Sequence, residues 1–391
     1  MKGPLAQLGR YHVIDRIASG GMASVYRARM ETVEGFSKIV ALKIMHPHLA
    51  EDEEHVAMFL DEGRLCARLT HPNLVSVFDF GSIDGYRFMA MEFYDGLSLS
   101  ALTRHLRRSQ KSIGLGWSLA ILREVLAGLD HAHNLQDESG RPLSIVHRDI
   151  SPENILVTTQ GEVKIIDFGI ALDNERRCVS RTGIVKGKVG YMSPEQAGGR
   201  TLDRRTDIYA VGVMGYELIT GQSLFGEGTT QELRQRIARA GDAVVKPGAL
   251  PHPDVEDAIV RALKRDPNDR HATAGQFAGR IDTVLEELEW SHDRASLGAL
   301  VKDAAADVLG ERKAREARKR REEARRNPQK PVAIRAPARK RKRAPRNATS
   351  ISSPAGGWAI DVAARWAANT ALALFGIGVL MELFGVSFPG P

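Results

Sequence analysis

Alternating and helical spacings of apolar residues divide most of the chain into short strands followed by amphipathic helices. Tyr11–Ala18 and Ala23–Arg29 read as strands joined by Ser19-Gly20-Gly21-Met22, a hairpin with glycine at its turn. In Ser37–Met45, Val40, Leu42 and Ile44 point one way, Ala41 and Lys43 the other. A lone inward lysine needs an anionic partner, and small Ala41 leaves room for a flat base on the same face. Glu51–Leu69 reads as a helix with an acidic first turn, its apolar face formed by Val56, Phe59, Leu60, Gly63, Cys66 and Ala67, with Glu62 adjoining. Leu74–Phe80 and Tyr86–Phe93 suggest a strand pair, and Leu115–His133 an apolar helix. Ile155–Val157 and Val163–Ile166 form a second hairpin pattern around Thr-Thr-Gln-Gly. Asp207, read as an N-cap, opens an apolar helix to about Thr220, and Val284–Leu309 continues as helix.

Composition changes the picture only at the C-terminal end. Residues 311–346 hold 17 Lys/Arg against 4 Glu, so this segment is +13 and the remainder of a +7 chain is −6. An acidic globular part therefore carries a basic segment, which Pro328, Pro331, Pro337 and Pro345 interrupt as a disordered linker. Beyond it, Trp366–Met381 is uncharged and the apolar stretch runs to Phe388, a candidate transmembrane helix with Trp358 and Trp366 at its interface. The basic linker on the same side keeps the globular part cytoplasmic by the positive-inside rule. A helix lying in the interface or docking a partner is the alternative. Cys66 and Cys178 offer neither a disulfide framework nor metal-ligand spacing, and Met1–Gln7, followed directly by polar strand-like sequence, is not expected to be a signal peptide.

The chemistry concentrates in His147-Arg148-Asp149-Ile150-Ser151-Pro152-Glu153-Asn154 and in Ile166-Asp167-Phe168-Gly169. A carboxylate and an amide lie five residues apart, and the second hairpin brings Asp167 back towards Asn154. Two oxygen ligands and a separate carboxylate are what Mg²⁺-dependent phosphoryl transfer requires. At these residues the chain resembles a bacterial eukaryotic-like (Hanks-type) serine/threonine protein kinase, with motifs in order over roughly residues 11–287.

The resemblance implies an α+β, two-lobed kinase fold with a small β-rich N-lobe and a larger helical C-lobe, here followed by the basic linker and a C-terminal hydrophobic helix. The kinase domain is expected over 11–287, and composition beyond it suggests a helical extension over 288–326, a basic disordered linker over 327–357 and a candidate transmembrane helix over 362–388. Asp149 would then take the acceptor hydroxyl's proton, Asn154 and Asp167 would hold Mg²⁺ or Mn²⁺, and Lys43 paired with Glu62 would position the phosphates of ATP. Ile17, Gly20, Gly21, Val25, Ala41, Met91, Glu92, Tyr94 and Leu156 would surround the nucleotide, with Met91 as gatekeeper and Glu92–Tyr94 as hinge. Ser180 and Thr182 fall in the activation segment, where Arg148 suits a phosphate on either. Asp207 would hold the catalytic loop, and Glu195 would pair with Arg270.

Two positions depart from the family pattern. A lysine is usual where this chain has Ser151, and a threonine where it has Lys188. The ammonium and the hydroxyl have exchanged places, so Lys188 is expected to supply the cation that Ser151 cannot. The weakened glycine pattern, with Ala18 and Ala23 at two glycine positions, keeps a pseudokinase scaffold as the alternative. The expected function is phosphorylation of protein Ser/Thr hydroxyls, with autophosphorylation of the activation loop, from an inner membrane held by a single-pass C-terminal anchor. A cytoplasmic location is the alternative. Protein substrates are the expected partners, with anionic lipids on residues 311–346, a homodimer left open, and nucleic acid less favoured for the tail.

Overall fold

The computed structural model describes residues 6–32, 35–168, 188–242, 244–291 and 293–326. The chain divides into a unit over Met1–Arg326 and a second over Asn327–Pro391, which lies outside the described residues.

Strands β1 (Gln7–Leu8), β2 (Tyr11–Ser19), β3 (Ala23–Glu31), β4 (Ser37–Met45), β5 (Val77–Ile83) and β6 (Tyr86–Glu92) form one antiparallel sheet in the order β1-β2-β3-β4-β6-β5. The alternation in β4 decides how this sheet is covered. Val40, Leu42 and Ile44 join Leu8, Tyr11, Ala28, Phe88 and Ala90 in one cluster. Helix α1 (Glu53–Cys66) supplies Phe59 to a second cluster with Ala23, Met45 and Met89. The acidic start predicted at Glu51 resolves into a cap: Asp52 Oδ1 accepts from the amides of Glu54 and His55.

The second lobe is helical around α3 (Leu115–His133), whose bounds are those its periodicity predicts, and α5 (Arg205–Thr220). Helices α2 (Leu99–Arg108), α4 (Pro194–Ala197), α6 (Thr230–Arg239), α7 (Pro253–Ala262) and α8 (Ala274–Glu287) surround these two. A small sheet of β7 (Gly96–Ser98), β8 (Ile155–Thr158) and β9 (Val163–Ile165) carries the second hairpin. The expected two-lobed α+β arrangement is present.

Two helix expectations are corrected. Asp207 is not an N-cap: α5 begins at Arg205, and Asp207 sits buried in its first turn. The helix expected over Val284–Leu309 is broken between Glu287 and Arg294, where Glu289 takes φ +48° and Trp290 packs edge-on against Trp117. The chain then resumes as α9 (Arg294–Arg326).

The expected C-terminal membrane helix does not stand, and the single-pass membrane location that rested on it falls with it. Among the described residues no helix is long and apolar enough to cross a membrane, and residues 362–388 lie outside them. With 33 residues α9 has the length, but its sequence is dense in Arg, Lys and Glu, which hydrocarbon does not accept.

Candidate active site

Residues directly opposite one another in an antiparallel pair share a face. Val25 pairs with Lys43, and Met91 with Ala41, so these four side chains project to the side opposite Val40, Leu42 and Ile44. Glu62 reaches Lys43 because the apolar face of α1, with Met58, Phe59 and Cys66 buried, also turns Glu62 inward. Lys43 Nζ lies 2.6 Å from Glu62 Oε1 and 2.9 Å from Asp167 Oδ1. Groups from β4, α1 and the segment after β9 thus meet at one ammonium.

The charges are mutually dependent. Burial works against the Lys43 ammonium, but Asp167 and Glu62 outweigh it and raise its pKa above the ordinary lysine value. Attraction to Lys43 holds the Asp167 carboxyl below its ordinary range against the opposing effect of burial. Glu62, more enclosed, is pushed up by burial despite the same lysine.

Asp207 organises the loop that carries Asp149. Its Oδ2 and Oδ1 accept the amides of His147 and Arg148, each at 2.8 Å, and His133 Nε2 approaches Oδ2 at 2.8 Å. Burial alone would raise the Asp207 carboxyl, but the bonds with His133 and the His147 amide hold it low. These contacts, with Gln196 Nε2 donating to the Arg148 carbonyl, fix Arg148 at φ +67°. Asp167 likewise takes φ +54°. Left-handed backbone at non-glycine residues is costly and persists only where the surroundings over-determine it.

Within the loop, Asn154 Nδ2 donates to the Asp149 carbonyl at 2.7 Å and to Asp149 Oδ2 at 2.8 Å. Lys188 Nζ sits 2.5 Å from the same Oδ2 and also draws the Asp167 pKa down. Ser151 is buried, and its Oγ has no hydrogen-bond partner among the described residues. No hydrogen bond among the described residues engages Asn154 Oδ1 or Asp167 Oδ2. Two hard oxygen donors are therefore left over, a set that fits Mg²⁺ or Mn²⁺.

The remaining positions are more peripheral. Gly20 closes the first hairpin through its amide to the Ala23 carbonyl at 2.9 Å, Gly21 follows it in the same turn, and Ile17 is 39% exposed. Glu92 Oε2 accepts from the Tyr94 hydroxyl and Oε1 from Lys38, so these side chains bind one another. Leu156 lies in β8, paired with Ser98 and Lys164. Ser180 and Thr182 lie outside the described residues. Sequence reasoning missed His133 and Gln196. The signal for His133 was the need of a buried Asp207 for donors; Gln196 is marked locally only as the N3 residue of a capping box with Ser193.

Glu195 and Arg270 form a buried bidentate pair at 2.7 and 2.8 Å, and Arg270 also donates to the carbonyls of Lys264, Arg205 and Arg265. Burial pushes the Glu195 carboxyl up, but Arg270 overrides it and leaves it below the usual glutamate range. Arg270→Ala is expected to cost about 3–5 kcal/mol in denaturant unfolding, since it strands a buried carboxylate. A depressed folded-state pKa stabilises above the unfolded value and ceases to as pH falls through the folded one. The stability gap between wild type and Arg270→Ala should therefore narrow on acidification below the ordinary glutamate pKa of about 4.3. A gap that stays constant there would remove the electrostatic explanation.

Comparisons agree with this geometry. A family model described as a protein kinase domain matches residues 11–278. The chain is 38% identical over 304 residues to the "Tyrosine-protein kinase MasK" of Myxococcus xanthus, covering 76% of this chain and 47% of that protein. It is 36% identical over 296 residues to the "Serine/threonine-protein kinase pkn3" of Myxococcus xanthus, covering 71% and 50%. The chain thus spans about half the length of these curated relatives. The crystal structure of the Mycobacterium tuberculosis PknI kinase domain matches with a TM-score of 0.50 and 26% identity, covering 71% of this chain and 97% of that one. With the model covering most of the chain and its motifs meeting at Lys43, Asp149 and Asp167, the chain belongs to the protein kinase family.

Proposed function

We propose that the chain transfers the γ-phosphoryl group of ATP to Ser/Thr hydroxyls of proteins, its own activation segment included. The observation that carries this reading is the Lys43 ammonium held between Glu62 and Asp167. In this reading Asp149 orients the acceptor hydroxyl and takes its proton, with Asn154 and Lys188 fixing its carboxylate. Lys43 positions the α- and β-phosphates, and Ala41, Val25, Met91 and Leu156 enclose the base, whose edge meets the backbone of Glu92–Tyr94. Asn154 and Asp167 would hold Mg²⁺, which when bound neutralises phosphate charge. Phosphoryl transfer needs little covalent help from a protein, so the work of these residues is positioning and charge.

The acceptor class has a second reading, because a relative at 38% identity is called a tyrosine kinase. Phosphoamino-acid analysis after autophosphorylation decides between them: phosphoserine and phosphothreonine are expected, with mass spectrometry placing the modification at Ser180 or Thr182. Phosphotyrosine alone would reverse the assignment. No observation favours the pseudokinase reading. The basic residues 311–346 are proposed to contact anionic surfaces such as lipid headgroups. Co-sedimentation with phosphatidylserine vesicles that salt does not weaken would argue against this.

A further inference from the structure

The family match ends at residue 278, yet the packing of the domain continues. Asp293 caps α9 by accepting the Ala295 amide at 3.0 Å, and Leu297, Val301 and Ala304 then bury one face of the helix. That face packs on α2, β7 and β8. Arg294 Nη2 lies 3.1 Å from Glu124 Oε1 on α3, while the other Glu124 oxygen accepts from Asn73 and the Val163 amide.

The closest approach is to the turn between β8 and β9. A Cβ on Gly298 would lie 2.7 Å from the Thr159 carbonyl oxygen, and one on Gly161, at φ +77°, would lie 2.1 Å from the Arg294 carbonyl oxygen. Neither place has room for a side chain. The same Thr159 donates its amide to the Asp95 carbonyl at 2.8 Å, immediately after Glu92–Tyr94. The first turns of α9 therefore press on the residue that fixes the exit of the hinge, and on the strand that carries Leu156.

We propose that α9 braces the nucleotide site from behind, with Gly298 as a positioning residue acting through Thr159 on Asp95. This rests on the reading of the cleft as an ATP site. Gly298→Val in the full chain forces the Thr159 turn away. Exchange of the Thr159 amide should then accelerate, and KM for ATP should rise about fivefold, roughly the worth of one net hydrogen bond, with kcat and the acceptor KM nearly unchanged.

Val284→Ala, in the buried face of α8 away from the hinge, supplies the comparison for general destabilisation. It should lower Tm without moving the ATP KM, and an equal rise there would overturn the proposal. So would an unchanged ATP KM in Gly298→Val despite faster Thr159 exchange. If the valine variant fails to fold, Gly298→Ala is read the same way. A wild type whose cleft binds no nucleotide would refute the ATP reading, while Thr159 exchange in the variant would still report the brace.

Discussion

Asp167→Asn is expected to lower ATP-dependent phosphoryl transfer by about three orders of magnitude or more while leaving Tm nearly unchanged. The substitution keeps size and shape but removes one of the two carboxylates at Lys43 and a hard oxygen donor beside Asn154. The Asp167 side chain is 43% exposed, so little packing is at stake. Glu62 remains to hold Lys43, so the lysine stays in place. Measuring label transfer from ATP together with thermal unfolding separates the two effects. Equal transfer by wild type and variant would remove Asp167 from the reaction. A loss of transfer matched by a large fall in Tm would mean that the residue serves the fold instead.

Lys188→Ala is expected to reduce transfer by about a hundredfold, the usual cost of one preorganised charge at such a site. Ser151→Lys alone should bring no gain over wild type, because the Lys188 ammonium already sits at the Asp149 carboxylate. The double variant Ser151→Lys/Lys188→Thr should recover activity to within about tenfold of wild type, a non-additive result that marks two coupled positions. Lys188 Nζ reaches Asp149 Oδ2, and Ser151, two residues after Asp149 in the same loop, is buried with no partner for its Oγ among the described residues. Full activity in Lys188→Ala would sink the idea, and an inactive but folded double variant would show that the ammonium must come from residue 188.

Much of this was legible along the chain because it depends on local periodicity. The face switch in Ser37–Met45 separated Lys43 from Val40, Leu42 and Ile44, and the hairpin after Asn154 returned Asp167 towards it. Comparison with the family pattern also singled out Ser151 and Lys188 as the two departures, and Lys188 Nζ lies at Asp149 Oδ2. The C-terminal membrane helix was the main error. Its apolar stretch lies beyond the described residues, and the long helix that is described is charged along its second half.

The sequence by itself determined the strands, turns and helices that carry the candidate residues, since alternation and turn residues act over a few positions, and its motifs named those candidates through their resemblance to the family. The resemblance had implied that Asp207 holds the catalytic loop, but only the tertiary structure decided by which atoms and with which further partners. Asp207, a plausible N-cap from its neighbours, instead turns its carboxylate to the amides of His147 and Arg148, because a buried charge needs more donors than its own helix offers. His133 and Gly298 have no local signature, and the capping box that marks Gln196 at the start of α4 does not announce its bond to Arg148. Their roles arise where distant segments close on one another, as α9 does on Thr159, and contacts of that kind are set by how the elements pack.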